Sequence, residues 1–154
     1  MRTAPAISKT RLKAWLVSCP MRIRRWVCAG HLALIAVLSL VPTWLFPPSI
    51  SRVPGIDKWA HVAMYGVLGA LLRWAAGPLA ATRIFRWLPV AGVAYGFLME
   101  LLQLWISGGG RSFSWADAAA NLAGVVVFWG AADRFLGKDE LFHPNDFLRF
   151  FRRR

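Results

Sequence analysis

Negative charge is scarce in this chain, which has 7 aspartates and glutamates against 19 lysines and arginines and a formal net charge of +12. Cysteine is scarcer still. Cys19 and Cys28 flank the start of an apolar run, so they form neither a metal-ligand pattern nor a disulfide framework. A nucleic-acid-binding protein would gather its cations on one soluble face, whereas these lie between apolar runs and at both ends. We therefore expect anionic lipid headgroups at both termini, and no metal, cofactor or nucleic-acid partner.

Long apolar runs are what the chain has in abundance. Apolar residues make up 57% of its 154 residues and the mean hydropathy is +0.46, which is too apolar for a soluble domain of this length. Each of four runs has about 20 residues, enough to cross a hydrocarbon core of roughly 30 Å. The runs are 26–46, 59–79, 87–106 and 115–135. The first is too long for a signal peptide and no small-residue cleavage site follows it. The sequence predicts an all-α, polytopic bundle of four transmembrane helices.

The distribution of lysine and arginine predicts the orientation, because positively charged short loops stay in the cytoplasm. Sixteen of the 19 lie before the first run, around the second connection or after the fourth run, and only Arg52, Lys58 and Arg111 lie elsewhere. Both termini should therefore be cytoplasmic, in a multi-pass protein of the plasma or inner membrane. Arg73, near the inner end of the second run, is expected to snorkel to the headgroups.

The same reading divides the chain into three parts. Residues 1–25 form a basic cytoplasmic or interfacial segment, 26–136 the transmembrane domain, and 137–154 a basic, aromatic cytoplasmic tail. Phenylalanines alternate with arginines in the tail, as in segments that lie on anionic lipid. Small residues for close helix packing are Gly92 and Gly96 on the third run, with Gly66, Gly69 and Gly124 on its neighbours.

Polar side chains from three runs should meet near the outer surface. In the second run, Asp57, His61 and Tyr65 are spaced four apart and share one helix face. An ionisable group on a spanning helix is expensive unless it is paired, hydrated or neutral, so it marks a functional-site hypothesis. The predicted ligand-binding residues are Asp57, Lys58, His61, Tyr65, Glu100, Gln103, Arg111, Asp117 and Asn121.

Several explanations of this group remain open. It is either a structural network that helps the helices associate, or a site that binds a polar headgroup. An intramembrane enzyme would use His61 or Glu100 as general base, with Asp117 a third catalytic candidate and Arg111 stabilising developing negative charge. A divalent metal is disfavoured because the spacing of the acids and the histidine matches no zinc signature. A transport path is disfavoured because the polar residues do not continue inward.

Three motifs in order resemble the signature of the VanZ-like family, named after a teicoplanin resistance protein. They are DKWAH at 57–61 with Tyr65 after it, ELLQ at 100–103, and GRSFSWAD at 110–117 followed by Asn121 and Gly124. The resemblance covers about residues 27–135, and Val62 departs from the aromatic residue often expected there. It implies a small bacterial inner-membrane protein of the cell envelope, with a link to glycopeptide resistance and no mechanism. With the polar group, it favours binding of a lipid or lipid-linked envelope precursor.

Overall fold

The computed structural model describes residues 9–41, 55–77, 79, 82–106 and 113–137. In these ranges the backbone is helical and contains no strand, which confirms the all-α prediction. Its five α-helices are α1 (Lys9–Ser18), α2 (Met21–Leu40), α3 (Ile56–Ala76), α4 (Leu88–Ile106) and α5 (Trp115–Leu136), and a 3-10 helix, Arg83–Trp87, leads into α4. Helices α2 to α5 match the four apolar runs.

Among the described residues, three helices are long and apolar enough to cross a membrane: Met21–Leu40, Arg83–Ile106 and Trp115–Leu136. This finding supports a membrane protein. Helix α3 has 21 residues, but it carries Asp57, Lys58 and Arg73 and is not one of the three. The fourth span and the cytoplasmic position of both termini therefore stay predictions.

The ends of α2 differ from the predicted run. The helix begins at Met21, directly after Pro20, so the expected domain boundary at residue 25 falls inside it. It ends at Leu40, whereas the predicted run continues to 46. Val41 is extended, with φ −63° and ψ 132°, because a residue before a proline disfavours the helical region. Helix α1 lies in the basic segment, where the sequence pattern predicts no particular element.

Helices α3 and α5 are parallel and touch through their backbones. Lys58 pairs with Asp117 at one end, and Arg73 pairs with Asp133 at the other, so the two helices run in the same direction. A Cβ at Gly124 would lie 2.6 Å from the Val62 carbonyl oxygen. Only glycine permits this approach, which confirms the predicted use of small residues between helices.

Helices α2 and α4 complete the bundle. Consecutive helices from α2 to α5 run in opposite directions. Helix α2 joins α3 where His31 Nε2 lies 2.9 Å from the Met64 carbonyl oxygen. Tyr95 on α4 donates a hydrogen bond of 2.7 Å to the Leu32 carbonyl of α2. Gly96 packs against Tyr65, which makes α4 antiparallel to α3 and α5. The apolar core lies midway along the helices, around residues Cys28, Ile35, Tyr65, Leu68, Met99 and Val125.

Arg73 does not snorkel, so that prediction is wrong. Its side chain is 0% exposed, and Nε donates a 2.6 Å hydrogen bond to Asp133 Oδ1. Nη2 donates to the Gly137 carbonyl at 2.8 Å, where α5 ends, and the guanidinium lies over the Phe85 ring. The prediction failed because α5 carries a carboxylate at the same depth, and an ion pair is available there without reaching the headgroups.

Gly69→Ala is expected to lower the thermal unfolding midpoint of the detergent-solubilised protein. A Cβ at Gly69 would collide with the Val125 carbonyl oxygen, and overpacking of this kind typically costs about 1–3 kcal/mol. Gly130→Ala is the matched control, because a Cβ there meets nothing within 4 Å and alanine favours the helix. An equal fall in both midpoints would contradict the close contact between α3 and α5.

Arg73→Gln should destabilise the protein by up to about 3 kcal/mol, because it leaves Asp133 without its charge partner. Asp133 is 29% exposed, so water offsets part of the loss. The double variant Arg73→Met, Asp133→Asn should recover some stability, and the exposed Arg83→Gln should change little. Denaturant titration in detergent measures all three. If Arg73→Gln unfolded at the same denaturant concentration as Arg83→Gln, the buried pair would be excluded as a stabilising contact.

Candidate functional site

Seven of the nine predicted site residues converge at one end of the bundle. The first halves of α3 and α5 meet the second half of α4 there, because α3 and α5 are parallel and α4 is antiparallel to both. We call this group the polar cluster. Its members are Asp57, Lys58, His61, Tyr65, Glu100, Asp117 and Asn121.

The mouth of the polar cluster is a lysine held between two carboxylates. Lys58 Nζ lies 2.7 Å from Asp57 Oδ2 and 3.3 Å from Asp117 Oδ1. The side chains of Asp57 and Lys58 are 55% and 45% exposed, so water screens this pair. Both residues precede the span predicted to begin at Trp59, and the hydrogen bond from Lys58 lowers the pKa of the Asp57 carboxyl.

Local sequence explains the position of Asp117. The backbone N–H of Asp117 donates a 3.2 Å hydrogen bond to the Ser114 side chain, which caps the start of α5. Asp117 lies in the first turn of α5 and Asp57 in the first turn of α3. Free backbone N–H groups at a helix start favour negative charge, so each helix stabilises its carboxylate.

Below the mouth the polar cluster becomes buried. His61 Nδ1 lies 2.8 Å from Asn121 Oδ1 and 3.9 Å from Glu100 Oε1. The Glu100 side chain is 2% exposed, and Asn121 is also buried. Because the amide oxygen of Asn121 only accepts hydrogen bonds, His61 Nδ1 is the donor, and Nε2 accepts protons when the ring is neutral. The Tyr65 ring, fully buried, lies parallel to the His61 ring with centroids 6.3 Å apart.

Three members of the polar cluster are arranged so that they could hold a metal ion. His61, Glu100 and Asp117 each present one ligand atom, and the three atoms lie within 4.8 Å of one another. They come from three different helices, which is why no spacing in the sequence predicts them as a set. Lys58 donates a hydrogen bond to Asp117, and the amide oxygen of Asn121 lies within hydrogen-bond distance of His61 Nδ1. The expected absence of a metal stays a prediction.

The other two predicted site residues, Gln103 and Arg111, are not part of the polar cluster that the structure describes. Gln103 Nε2 donates a 2.9 Å hydrogen bond to the Ser39 carbonyl, one of the last carbonyls of α2, which lack helical partners. Gln103 thus ties α4 to the end of α2, outside the polar cluster. Arg111 lies outside the described residues.

Sequence reasoning missed two buried arginines at the opposite end of the bundle. Arg73 was expected at the headgroups, and Arg24 was counted only as a cytoplasmic charge. Arg24 is 4% exposed, and its Nε donates a 2.8 Å hydrogen bond to the Cys19 carbonyl. Its partners are backbone carbonyls, which every residue carries, so no sequence pattern identifies them.

Along α3 and α5, which are described in full, the polar cluster lies toward one end of the bundle. Between Tyr65 and Arg73 the intervening positions of α3 are apolar, and the same holds between Asn121 and Asp133 on α5. No polar path therefore crosses these two helices. The described part of the site combines acidic groups, a lysine and a histidine, which suits a ligand that carries both signs of charge.

Comparison with protein-family models, curated proteins and solved structures gave no match to this chain.

Proposed function

We propose that the polar cluster binds an envelope lipid or a lipid-linked envelope precursor at the outer face of a bacterial membrane. The observation that carries this proposal is the gradient of burial within one cluster. Lys58 is 45% exposed, His61 14% and Glu100 2%, so a half-open mouth leads to ionisable groups in the protein interior. A purely structural network would have less need of an exposed entrance.

The proposed topology has four spans, with both termini in the cytoplasm. Helix α3 lies beside α5 from the Lys58–Asp117 pair to the Arg73–Asp133 pair. The equal extent of the two helices supports a fourth span in α3, although α3 has charged residues near both ends.

Exposed tryptophans support the same topology, because this side chain concentrates at membrane interfaces. Trp59, Trp105 and Trp115 are exposed at the end of the bundle that holds the polar cluster. Trp26 and Trp87 are exposed at the opposite end. The two groups match the two sides of a membrane.

A ligand with both charge signs fits the polar cluster best. Lys58 offers an ammonium group to a phosphate, and the sequence places Arg52 and Arg111 in the adjoining connections. Asp57 and Asp117 offer acceptors to hydroxyl or amino groups of the same ligand. Lipid-linked sugar or peptide precursors carry both kinds of group, whereas phosphatidic acid offers only a phosphate.

Membership of the VanZ-like family is part of the proposal. The three motifs supply every member of the polar cluster, although they are separated by up to about 40 residues of sequence. Their convergence supports the resemblance, and with it a role in the cell envelope and a link to glycopeptide resistance.

An intramembrane hydrolase or transferase is the second candidate, and the geometry of His61 favours it. With Nδ1 directed at Asn121 and Glu100 nearby, Nε2 is left to accept a proton from water or a hydroxyl group. Glu100 and Asp117 are the other catalytic candidates, and Arg111 would stabilise negative charge on a phosphate. The same lipid-linked ligand would then be a substrate.

The topology is tested by cysteine labelling of intact cells in a variant with Cys19→Ala and Cys28→Ala. A membrane-impermeant maleimide should label Ser51→Cys from outside, and should label Ser8→Cys and Thr82→Cys only after permeabilisation. The reason is that a spanning α3 puts residues 51 and 82 on opposite sides. Labelling of Thr82→Cys from outside together with Ser51→Cys would exclude the fourth span.

The binding proposal is tested by native mass spectrometry of the purified protein with its copurified lipids. Lys58→Gln and Arg111→Gln should lose a specific headgroup-bearing lipid at normal folded yield, because each removes a phosphate partner. The matched control is the exposed Arg83→Gln, which should keep it. Variants that fold but retain the lipid would rule out the binding site, and failure of both to accumulate would favour a structural network.

His61→Gln separates the two candidates. A binding protein should show no turnover of the lipid in either form. An enzyme should convert the captured lipid only with His61 in place.

A further inference from the structure

A second binding site is indicated at the opposite end of the bundle, where α1 lies against α3 and α5. Three side-chain hydrogen bonds hold the C-terminal end of α1 and Cys19, the residue that follows it. Trp74 Nε1 donates to the Leu16 carbonyl at 2.8 Å, Arg24 Nη2 donates to the Val17 carbonyl, and Arg24 Nε donates to Cys19. The last carbonyls of a helix lack partners of their own, so these bonds anchor α1 to the bundle.

An apolar cavity of about 400 Å³ lies between α1, α3 and α5. Leu16, Trp74 and Phe135 line it from the three helices. Alanines at 70, 131 and 132 leave the space open, because their side chains are too small to fill it. Its lining is almost entirely hydrocarbon, which suits an acyl chain and not a polar solute.

A basic cavity of about 460 Å³ shares Phe135 with the apolar one. Lys9 and Lys13 line it from α1, and Arg134 lines it from the last turn of α5. Thr10 adds a hydroxyl group. Its described lining residues include three cations, and cations of this kind bind phosphate.

We propose that the two adjoining cavities form one site for an anionic phospholipid. Its acyl chain occupies the apolar cavity, and its phosphate lies among Lys9, Lys13 and Arg134. A free anion would leave the apolar cavity empty, and a zwitterionic lipid would place its own cation among three others. Only an anionic lipid matches both parts.

This site is separate from the polar cluster. Asp117 and Arg134 are 17 positions apart on α5, which corresponds to roughly 25 Å along the helix. The charge of the two sites differs as well, because the polar cluster mixes acids with cations. The second site therefore does not depend on the proposed function of the first.

The test is native mass spectrometry after reconstitution in equal parts phosphatidylglycerol and phosphatidylcholine. The wild-type chain should retain phosphatidylglycerol through detergent washing. The triple variant Lys9→Gln, Lys13→Gln, Arg134→Gln should lose at least about fivefold of it, as expected for even one neutralised cation at a membrane surface. The control, Arg83→Gln, Arg86→Gln, removes two exposed cations that line neither cavity and should retain the lipid.

Filling the apolar cavity tests the other half of the site. Ala131→Phe should release phosphatidylglycerol, whereas Val127→Phe, on an exposed part of the same helix, should not. Thermal unfolding of each variant separates loss of lipid from loss of fold. Equal retention of phosphatidylcholine, equal loss in the Arg83→Gln, Arg86→Gln control, or full retention in a folded Ala131→Phe variant would each overturn the proposal.

Lys58→Gln distinguishes this site from the polar cluster, since it should leave the retained phosphatidylglycerol unchanged. If Lys58→Gln removed it, the lipid would belong to the polar cluster and the second site would be wrong. Displacement by inorganic phosphate alone would likewise contradict an acyl-chain contact.

Discussion

The backbone contact between α3 and α5 is the constraint on which the rest of the structure depends. Gly69 and Gly124 let each helix reach the carbonyl groups of the other, at separations that a Cβ would forbid. Side chains at equivalent depth are then forced together. Lys58 meets Asp117, His61 meets Asn121, and Arg73 meets Asp133, each with a separation of about 60 positions in sequence.

This parallel pairing explains how α3 tolerates its charges. An isolated arginine or aspartate on a spanning helix is expensive, but the same groups become acceptable when a neighbouring helix supplies the partner. The cation near each end of α3 therefore pairs with a carboxylate on α5, and the middle of the two helices is apolar. The mean hydropathy of a single helix does not include the ion pairs that the helix makes with its neighbour, because it counts Lys58 and Arg73 as isolated charges. A count of three apolar spans among the described residues is for that reason consistent with the proposed fourth span.

Sequence reasoning succeeded where a property belongs to one segment. Helix α5 begins where the fourth apolar run begins, and Ser114 caps it as a serine at that position should. The glycines were recognised as packing surfaces because small residues on apolar helices have few other uses. Convergence of His61, Glu100 and Asn121 followed from the alternating direction of the helices, which the positions of the connections already imply.

Sequence reasoning failed where the partner is a backbone carbonyl or lies on a distant helix. Gln103 lies outside the polar cluster and donates to the Ser39 carbonyl, whose availability depends on α2 ending at Leu40, and its role in ligand binding stays a prediction. Arg24 and Arg73 were counted as surface charges, because burial by α1 and by α5 is a tertiary event. The position of α1 depends on such contacts as well. Helix α1 has no apolar periodicity from which its packing against the bundle could be predicted.

The two ends of α5 give the protein a chemical asymmetry across the membrane. At the N-terminal end, free backbone N–H groups favour the Asp117 carboxylate, and the surrounding helices add Glu100 and Lys58. At the C-terminal end, the helix favours cations, and Arg134 lies there beside Lys9 and Lys13. A uniformly anionic lipid satisfies the second environment but meets repulsion from the acids in the first. Under the proposed function, the first environment favours a headgroup that pairs its phosphate with hydroxyl or amino groups. Helix direction therefore distinguishes the sign of charge that each end of α5 favours.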